Sequence, residues 1–232
     1  MSHISAPNQS MSELLRYLAT ERQDYDRIPT LVELSRLLGI SISCIREQLE
    51  VARSLGIVEV KPKTGIRRIP YEFQSTLRQS LTYALAIDEN TFEAFSDLRS
   101  KIESGYWYQA VSLLTSDDRN ALLKFVERAE EKIHRLPPQM PHLEHRNFHL
   151  LIYHRLGNPF VTGILESYWE MYETVGLSII MDVPYLEIVW NFHRKMAESI
   201  QAGDYDQGFE VMQEHLKLIQ QRSKPARRQR FE

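Results

Sequence analysis

The sequence predicts a mainly α protein, with a winged helix-turn-helix followed by an all-α bundle of six or seven helices. Capping signals outline two short helices that flank a glycine within residues 31–54. Two short apolar runs then surround the turn Lys61-Pro62-Lys63-Thr64-Gly65, as in a β-hairpin. After residue 70, apolar residues recur at helical spacing, and no segment alternates with the period of two typical of a half-buried strand.

Composition narrows the class of protein. The 232 residues are 43% hydrophobic and 25% charged, with a net charge of −3 that divides into +2 for residues 1–69 and −5 for the rest. The single cysteine, Cys44, excludes a disulfide framework and a cysteine-based zinc module. No apolar run reaches the roughly 20 residues of a membrane span, and the first ten residues lack a signal-peptide core. We therefore expect a cytoplasmic protein that does not contact the membrane.

The first three helices follow from local signals. Residues 11–23 carry leucines at helical spacing. Thr30 and Glu33 form a predicted capping box for a helix over residues 31–38, which Gly39 ends. Ser41 caps a third helix, at about residues 42–54. Predicted strands over 57–60 and 66–69 complete a wing with a basic tip.

This segment resembles the winged-helix domain of the GntR family of bacterial regulators. The resemblance rests on Leu38-Gly39-Ile40-Ser41, Ile45-Arg46-Glu47, Leu55-Gly56-Ile57-Val58 and the wing glycine Gly65. It implies a homodimer that binds double-stranded operator DNA. The family commonly has arginines where this chain has Val32 and Ile42, so the family's usual operator sequence is not implied.

Arg46 is the predicted base-reading residue, because it matches the family's contact on the recognition helix. The other predicted DNA contacts are polar or basic residues of the two helices and the wing: Arg36, Ser41, Ser43, Arg53, Lys61, Lys63, Thr64, Gly65, Arg67 and Arg68. Basic residues of this kind position a protein on phosphates without reading bases. The alternative is a winged helix that binds protein, with these charges solvated.

The rest of the chain is predicted to be helical. Apolar spacing, with prolines near helix starts, predicts helices over residues 73–88, 91–114, 117–136, 141–156, 159–181, 184–202 and 205–221. Ser116 is the expected N-cap of the third of these. Six or seven such helices form a bundle around one core.

Four histidines in this half are the candidate metal ligands. His145 and His149 are one helical turn apart, so they project from one face. His193 and His215 flank Gly203-Asp204 almost symmetrically, and a turn there brings them to the same level. Three helices of a bundle can thus bring four imidazoles to one point.

The same half resembles the FCD domain, the effector module of the FadR subfamily of GntR regulators. The matching stretches are Leu98-Arg99-x-x-Ile102-Glu103, His145-x-x-Phe148-His149, Gly157-Asn158-Pro159, and His193 through Ala202-Gly203-Asp204 to His215-Leu216. Metal-binding members place an aspartate and three histidines on these helices. Here the histidines fall on His149, His193 and His215, and His145 takes the aspartate position. Zinc or nickel is the divalent metal expected, since both tolerate all-imidazole spheres.

Arg99 matches an arginine that often faces the effector cavity in this family. A guanidinium suits a carboxylate, so the resemblance implies a small carboxylate effector. The alternative is an ion pair with Glu103, four residues along the same helix. The other histidines, His134, His142 and His154, are predicted to lie on the surface, and the tryptophans to lie in the core.

Three regions are therefore expected. Residues 1–70 form the DNA-binding domain, 71–222 the effector-binding and dimerisation domain, and 223–232 a basic disordered tail. The predicted function is transcriptional regulation, most commonly repression, without catalysis. One alternative is a metal-free FadR-like regulator with an acyl-type effector. The other is a helical-bundle metalloenzyme, although only one Glu-x-x-His spacing, Glu131/His134, is present.

Overall fold

The computed structural model of the protein describes residues 10–20, 28–62, 65–88, 90–179 and 182–223. The chain divides into two compact units, the first ending at Gln79 and the second beginning at Ser80. The predicted basic tail lies almost wholly outside the described residues, as do wing residues 63 and 64. The elements in chain order are α1 (Glu13–Thr20), α2 (Leu31–Leu38), α3 (Ile42–Ser54), β1 (Val58–Lys61), β2 (Gly65–Arg68), α4 (Phe73–Ile87), α5 (Thr91–Ser112), α6 (Ser116–Ile133), α7 (His142–Tyr153), α8 (Pro159–Thr174), α9 (Val183–Ala202) and α10 (Tyr205–Ser223).

The first unit is a helix-turn-helix with a hairpin wing, which confirms the predicted fold class. The capping box of α2 is formed: the Thr30 side chain accepts from the Glu33 backbone, and the Glu33 side chain accepts from the Thr30 backbone. Gly39 ends α2 in the left-handed conformation, with φ at 70°. A side chain is strained there, which explains why the turn uses glycine. The core beneath consists of Leu14, Leu18, Ile28, Leu34, Ile45, Leu49, Ala52, Val58 and Ile66.

The wing is shifted by one residue at each strand from the sequence prediction. β1 and β2 are antiparallel, and the register pairs Val58 with Arg68 and Lys61 with Gly65. The Ile69 N–H still donates to the Ile57 carbonyl at 3.1 Å, but both residues lie outside the ladder. The apolar pattern predicted both strands, but the hydrogen-bonded pairing between β1 and β2 determines the residues at which they begin and end.

Within the described residues, the second unit is a helical bundle formed by α5 to α10 together with the part of α4 that follows Gln79, in agreement with the predicted six or seven helices. Its core is built around three fully buried aromatic side chains, Trp107, Trp190 and Phe148. Helix α10 approaches α5 closely at Gly208, where a Cβ atom would lie 2.8 Å from Cζ2 of Trp107. No helix in the described part of the chain combines the length and apolarity that crossing a membrane requires.

Several helix ends differ from the prediction, including the ends of α5 at Ser112 rather than 114 and of α6 at Ile133 rather than 136. Thr115, not Ser116, caps α6, because its hydroxyl accepts from the Asp118 backbone while the Asp118 carboxylate accepts from Thr115. Helix α8 ends at Thr174 rather than 181, where Gly176 takes a positive φ of 77°. Helix α7 stops at Tyr153 and continues as a short 3-10 turn to Leu156.

Candidate functional sites

The four histidines lie together inside the bundle. One nitrogen from each of His145, His149, His193 and His215 lies within 4.8 Å of the others. All four residues are buried, His193 and His215 completely. The rings of His193 and His215 are 4.4 Å apart between centroids. The sequence-predicted site residues of the bundle are therefore brought to one point.

Two local features produce this convergence. His145 and His149 lie one turn apart on α7, both facing the interior. Gly203 ends α9 at a φ of 77°, and its N–H and that of Asp204 bond back to Ile200 and Ser199. This left-handed cap folds α10 back along α9. His193 and His215 consequently reach the same level of the bundle.

The hydrogen bonds of the cluster leave several ring nitrogens without partners. Nδ1 of His193 lies 2.8 Å from the Val189 carbonyl, to which it donates, so its Nε2 carries a free lone pair. That Nε2 lies 3.1 Å from Nε2 of His149. Among the described residues, both nitrogens of His215 and Nε2 of His145 have no hydrogen-bond partner. Buried polar atoms are nearly always satisfied, so this set of orphaned lone-pair donors fits a metal ion.

The donor chemistry also fits. Two nitrogens bound to zinc at about 2.1 Å in a tetrahedral site are roughly 3.4 Å apart, compared with 3.1 Å between His149 and His193 and at most 4.8 Å among the four ligand nitrogens. Imidazole suits zinc, copper, iron and nickel, whereas magnesium and calcium require oxygen ligands. The four histidines thus form a candidate site for a transition metal.

Arg99 and Glu103 lie beside the cluster on α5. Arg99 Nε donates to Glu103 Oε1 at 3.0 Å, and both side chains are buried. The ion pair considered from the sequence is present, but inside the bundle rather than on an exposed helix face. Both groups also reach His149, whose Nδ1 lies 3.0 Å from Arg99 Nη2 and 3.3 Å from Glu103 Oε1. The guanidinium also stacks on Tyr168, 4.3 Å from the ring centroid.

Glu103 is the residue that sequence reasoning underrated. The sequence predicts Glu103 only as a partner of Arg99. In the structure its carboxylate is fully buried beside His149. A carboxylate that accepts from Nδ1 of a histidine directs the Nε2 lone pair toward a metal. Its Oε2 has no partner among the described residues.

Two tautomers of His149 fit these contacts. If Nδ1 accepts from Arg99, then Nε2–H donates to His193 and both rings are satisfied without metal. If Nδ1–H donates to Glu103, the two Nε2 lone pairs face each other across 3.1 Å. The second arrangement suits a cation held between the lone pairs.

Burial controls the charges of the site. Desolvation lowers the pKa values of His145, His193 and His215 well below their ordinary 6.5, and neighbouring imidazoles lower them further. Burial alone would raise the pKa of Glu103, but the charge of Arg99 and the hydrogen bonds from Arg99 and His149 outweigh it and lower that pKa. Four neutral imidazoles beside a compensated ion pair carry no net charge.

The metal-free protein is expected to lose stability as pH falls below 6.5, the ordinary histidine pKa. Below pH 6.5 the histidines of the unfolded chain take up protons, whereas the buried imidazoles of the folded protein do not. Each buried neutral imidazole therefore lowers the free energy of unfolding by up to about 1.4 kcal/mol per pH unit. Urea unfolding at several pH values in the presence of a chelator measures this slope. His193→Gln should reduce it, whereas His134→Gln, at an exposed position, should not. An unchanged slope in His193→Gln would contradict the buried neutral state.

Aromatic rings wall the cluster. Trp169 lies 4.7 Å from His145 and Trp190 lies 4.6 Å from His193 between ring centroids. The tryptophans are buried as predicted, and two of them form the wall of the site. His142 is not the surface residue that was predicted: its side chain is 15% exposed and stacks parallel on Tyr172.

The predicted DNA contacts lie on the surface of the first unit. Arg46 is exposed on α3 and forms no ion pair or hydrogen bond that the described structure records. Arg53 pairs with Glu50 at 2.6 Å and Lys61 with Glu59 at 2.8 Å. Lys63 and Thr64 lie outside the described residues. Among the remaining predicted contacts, Arg68 is half-buried, and the exposed ones are Arg36, Ser41, Ser43, Gly65 and Arg67.

Known proteins that resemble this chain in sequence or in structure include transcriptional regulators. The FCD domain family matches residues 94–218. YieP of Escherichia coli K12, an uncharacterized HTH-type transcriptional regulator, is 25% identical over 211 residues that cover 87% of this chain and 88% of YieP. YcbG of Bacillus subtilis 168, of the same description, is 23% identical over 196 residues that cover 84% and 79%. The structure of Streptococcus agalactiae GntR shares the fold with a TM-score of 0.60 at 17% identity, covering 90% of this chain and 95% of that one.

Proposed function

Because the chain belongs to the GntR-type transcriptional regulators that carry an FCD domain, we propose that it is a dimeric repressor controlled by a metal-bound small acid. The family identifies a DNA-binding regulator and not an enzyme, as predicted. We propose five further properties: a bound metal, an acid effector, a dimer, repression, and separate DNA-binding and effector-binding domains. Membership of the FadR subfamily also stays a prediction.

The buried histidine cluster is the observation that carries the proposal. His145, His149, His193 and His215 would hold the ion, and the partnerless nitrogens of His145 and His215 support this role. When bound, the metal would supply the positive charge that attracts an anionic ligand, which would be a further donor beside the four imidazoles. Glu103 would orient His149, and the tryptophans would keep water away.

The charge balance favours an anion as the effector. Glu103 compensates Arg99, and the imidazoles are neutral, so a divalent ion would give the site a net charge of about +2. The attraction for a carboxylate therefore comes chiefly from the metal. Arg99, held at the edge of the cluster by Glu103, is the proposed second contact through its fork of donors.

Control of transcription requires that the acid bind two states of the protein with different affinity. A ligand that binds both states equally shifts nothing, however tightly it binds. We propose that the acid-bound state has the lower operator affinity, so that the effector releases repression.

Small mono- or dicarboxylates, including hydroxy and sugar acids, are expected to stabilise the metal-loaded protein in a thermal-shift screen. At a hundredfold excess over its Kd, such an acid contributes about 2.7 kcal/mol. The same acid should weaken operator binding, and metal-stripped protein should not respond. Arg99→Lys, which keeps the charge beside Glu103 but loses the fork, should weaken the response. Stabilisation by neutral or apolar compounds alone would favour the metal-free regulator with an acyl-type effector.

Arg46→Ala is expected to weaken specific operator binding by about 1–3 kcal/mol, the range for an arginine that reads a base edge. Arg53→Ala is the matched control at the other end of α3. As a phosphate contact it should weaken binding to all sequences alike and lower the salt slope by about one unit. Fluorescence anisotropy at several salt concentrations separates the two effects. Unchanged operator affinity in Arg46→Ala would remove this residue from base reading.

A further inference from the structure

The first turn of α3 presents an apolar side chain to the surface. Ile42 is the first residue of α3, directly after the N-cap Ser41, and it is 36% exposed. It does not belong to the core beneath this helix, which buries Ile45, Leu49 and Ala52. One exposed isoleucine carries no information by itself. Its place in the fold is what matters.

The surroundings of Ile42 are those of a recognition surface. Ser43, Arg46 and Glu47 are exposed on the same stretch of helix. Successive residues are about 100° apart around a helix, so Ile42 and Arg46 lie within about 40° of each other, one turn apart. In a helix-turn-helix, the N-terminal residues of the second helix contact base edges in the major groove. Ile42 stands at that end of α3.

An isoleucine side chain has no hydrogen-bonding atom, and this restricts what it can read. Against the polar edge of guanine, cytosine or adenine it would displace water and leave a donor or acceptor unpaired. Thymine is the base that offers an apolar group in the major groove, its C5 methyl. The contact with the smallest cost in polar desolvation is therefore a contact with this methyl group.

We propose that Ile42 is a specificity-determining residue that selects thymine by packing on its C5 methyl group. The proposal rests on operator binding through α3. It adds a base preference at a position next to the one that Arg46 reads. Burying one methyl group gives a gain of about fourfold in affinity per half-site, and about fifteenfold when both half-sites of a dimer are counted.

The test begins with selection of binding sites by the full-length protein from a duplex library with a randomised centre of about 25 base pairs. In the best selected duplex, each thymine is then replaced in turn by deoxyuridine, which removes only the C5 methyl. We expect one thymine per half-site to be required, with about fourfold weaker binding when its methyl is lost. With Ile42→Ala, which shortens the side chain by three carbon atoms, the effect of the same replacement should largely disappear. Ile42→Arg should shift the selected base at that position to guanine.

Val51→Ala is the matched control. Val51 is another exposed apolar residue of α3, 50% exposed, but nine positions on and therefore about 180° around the helix. It should leave the thymine requirement intact. Thermal unfolding verifies that Ile42→Ala folds, as expected for a residue outside the core.

Two results would overturn the proposal, and they are distinguishable. If sites are selected but no deoxyuridine weakens binding, or Ile42→Ala selects the same bases, then Ile42 does not read thymine while operator binding stands. If the wild-type protein enriches no sequence at all, operator binding through α3 fails and this inference fails with it.

Discussion

Purified full-length protein is expected to contain about one zinc or nickel ion per chain, and alanine at His149, His193 or His215 is expected to remove it. The four ligands are buried side by side, so the loss of one leaves both a weaker site and a cavity. Metal analysis after gel filtration measures the content. At a thousandfold excess of metal over its Kd, binding contributes about 4 kcal/mol of stability, which the variants should lack.

His134→Ala is the matched control, because it removes an imidazole that is 63% exposed and outside the cluster. It should keep the metal. His145→Asp should keep it too, since it restores the oxygen ligand of related FCD domains and offers the divalent ion a negative charge. Metal-free wild-type protein, together with wild-type stability of the triple alanine variant, would show that the four histidines are packing residues.

Glu103→Gln is expected to destabilise the bundle by about 3–5 kcal/mol, the cost of leaving one partner of a buried ion pair uncompensated. Arg99 would then be buried with its charge against a neutral amide, 3.0 Å away in the native pair. Urea unfolding in the presence of a chelator measures this loss without the contribution of metal.

The double variant Arg99→Met, Glu103→Leu tests the physical reason. Replacing both charges by apolar side chains is often neutral or stabilising, so most of the lost stability should return. The double variant should nevertheless bind metal about 10–100-fold more weakly, because His149 loses its orienting carboxylate. If Glu103→Gln were as stable as the wild-type protein, the ion pair between Arg99 and Glu103 would not contribute to the stability of the bundle.

The helices and the turns between them were readable from the sequence because their signals are local. The capping box at Thr30 and Glu33, the left-handed glycine Gly39 and the turn at Gly203 each act through neighbours a few residues away. Errors occurred where competing signals lay side by side. Thr115 and Ser116 are both good caps, and only the reciprocal bonds with Asp118 decided between them.

The winged helix, the helical bundle and the family could all be predicted from the residues alone, and the spacing of four histidines was enough to predict that they would meet. The burial of Arg99 and Glu103, and their contacts with His149, 50 and 46 residues away, became visible only in the folded protein. Four-residue spacing of opposite charges looks the same on an exposed helix face and in a core. In this protein α7 and α8 pack against α5 and remove water from the pair. The two charges are therefore buried, and they compensate each other beside the candidate metal site.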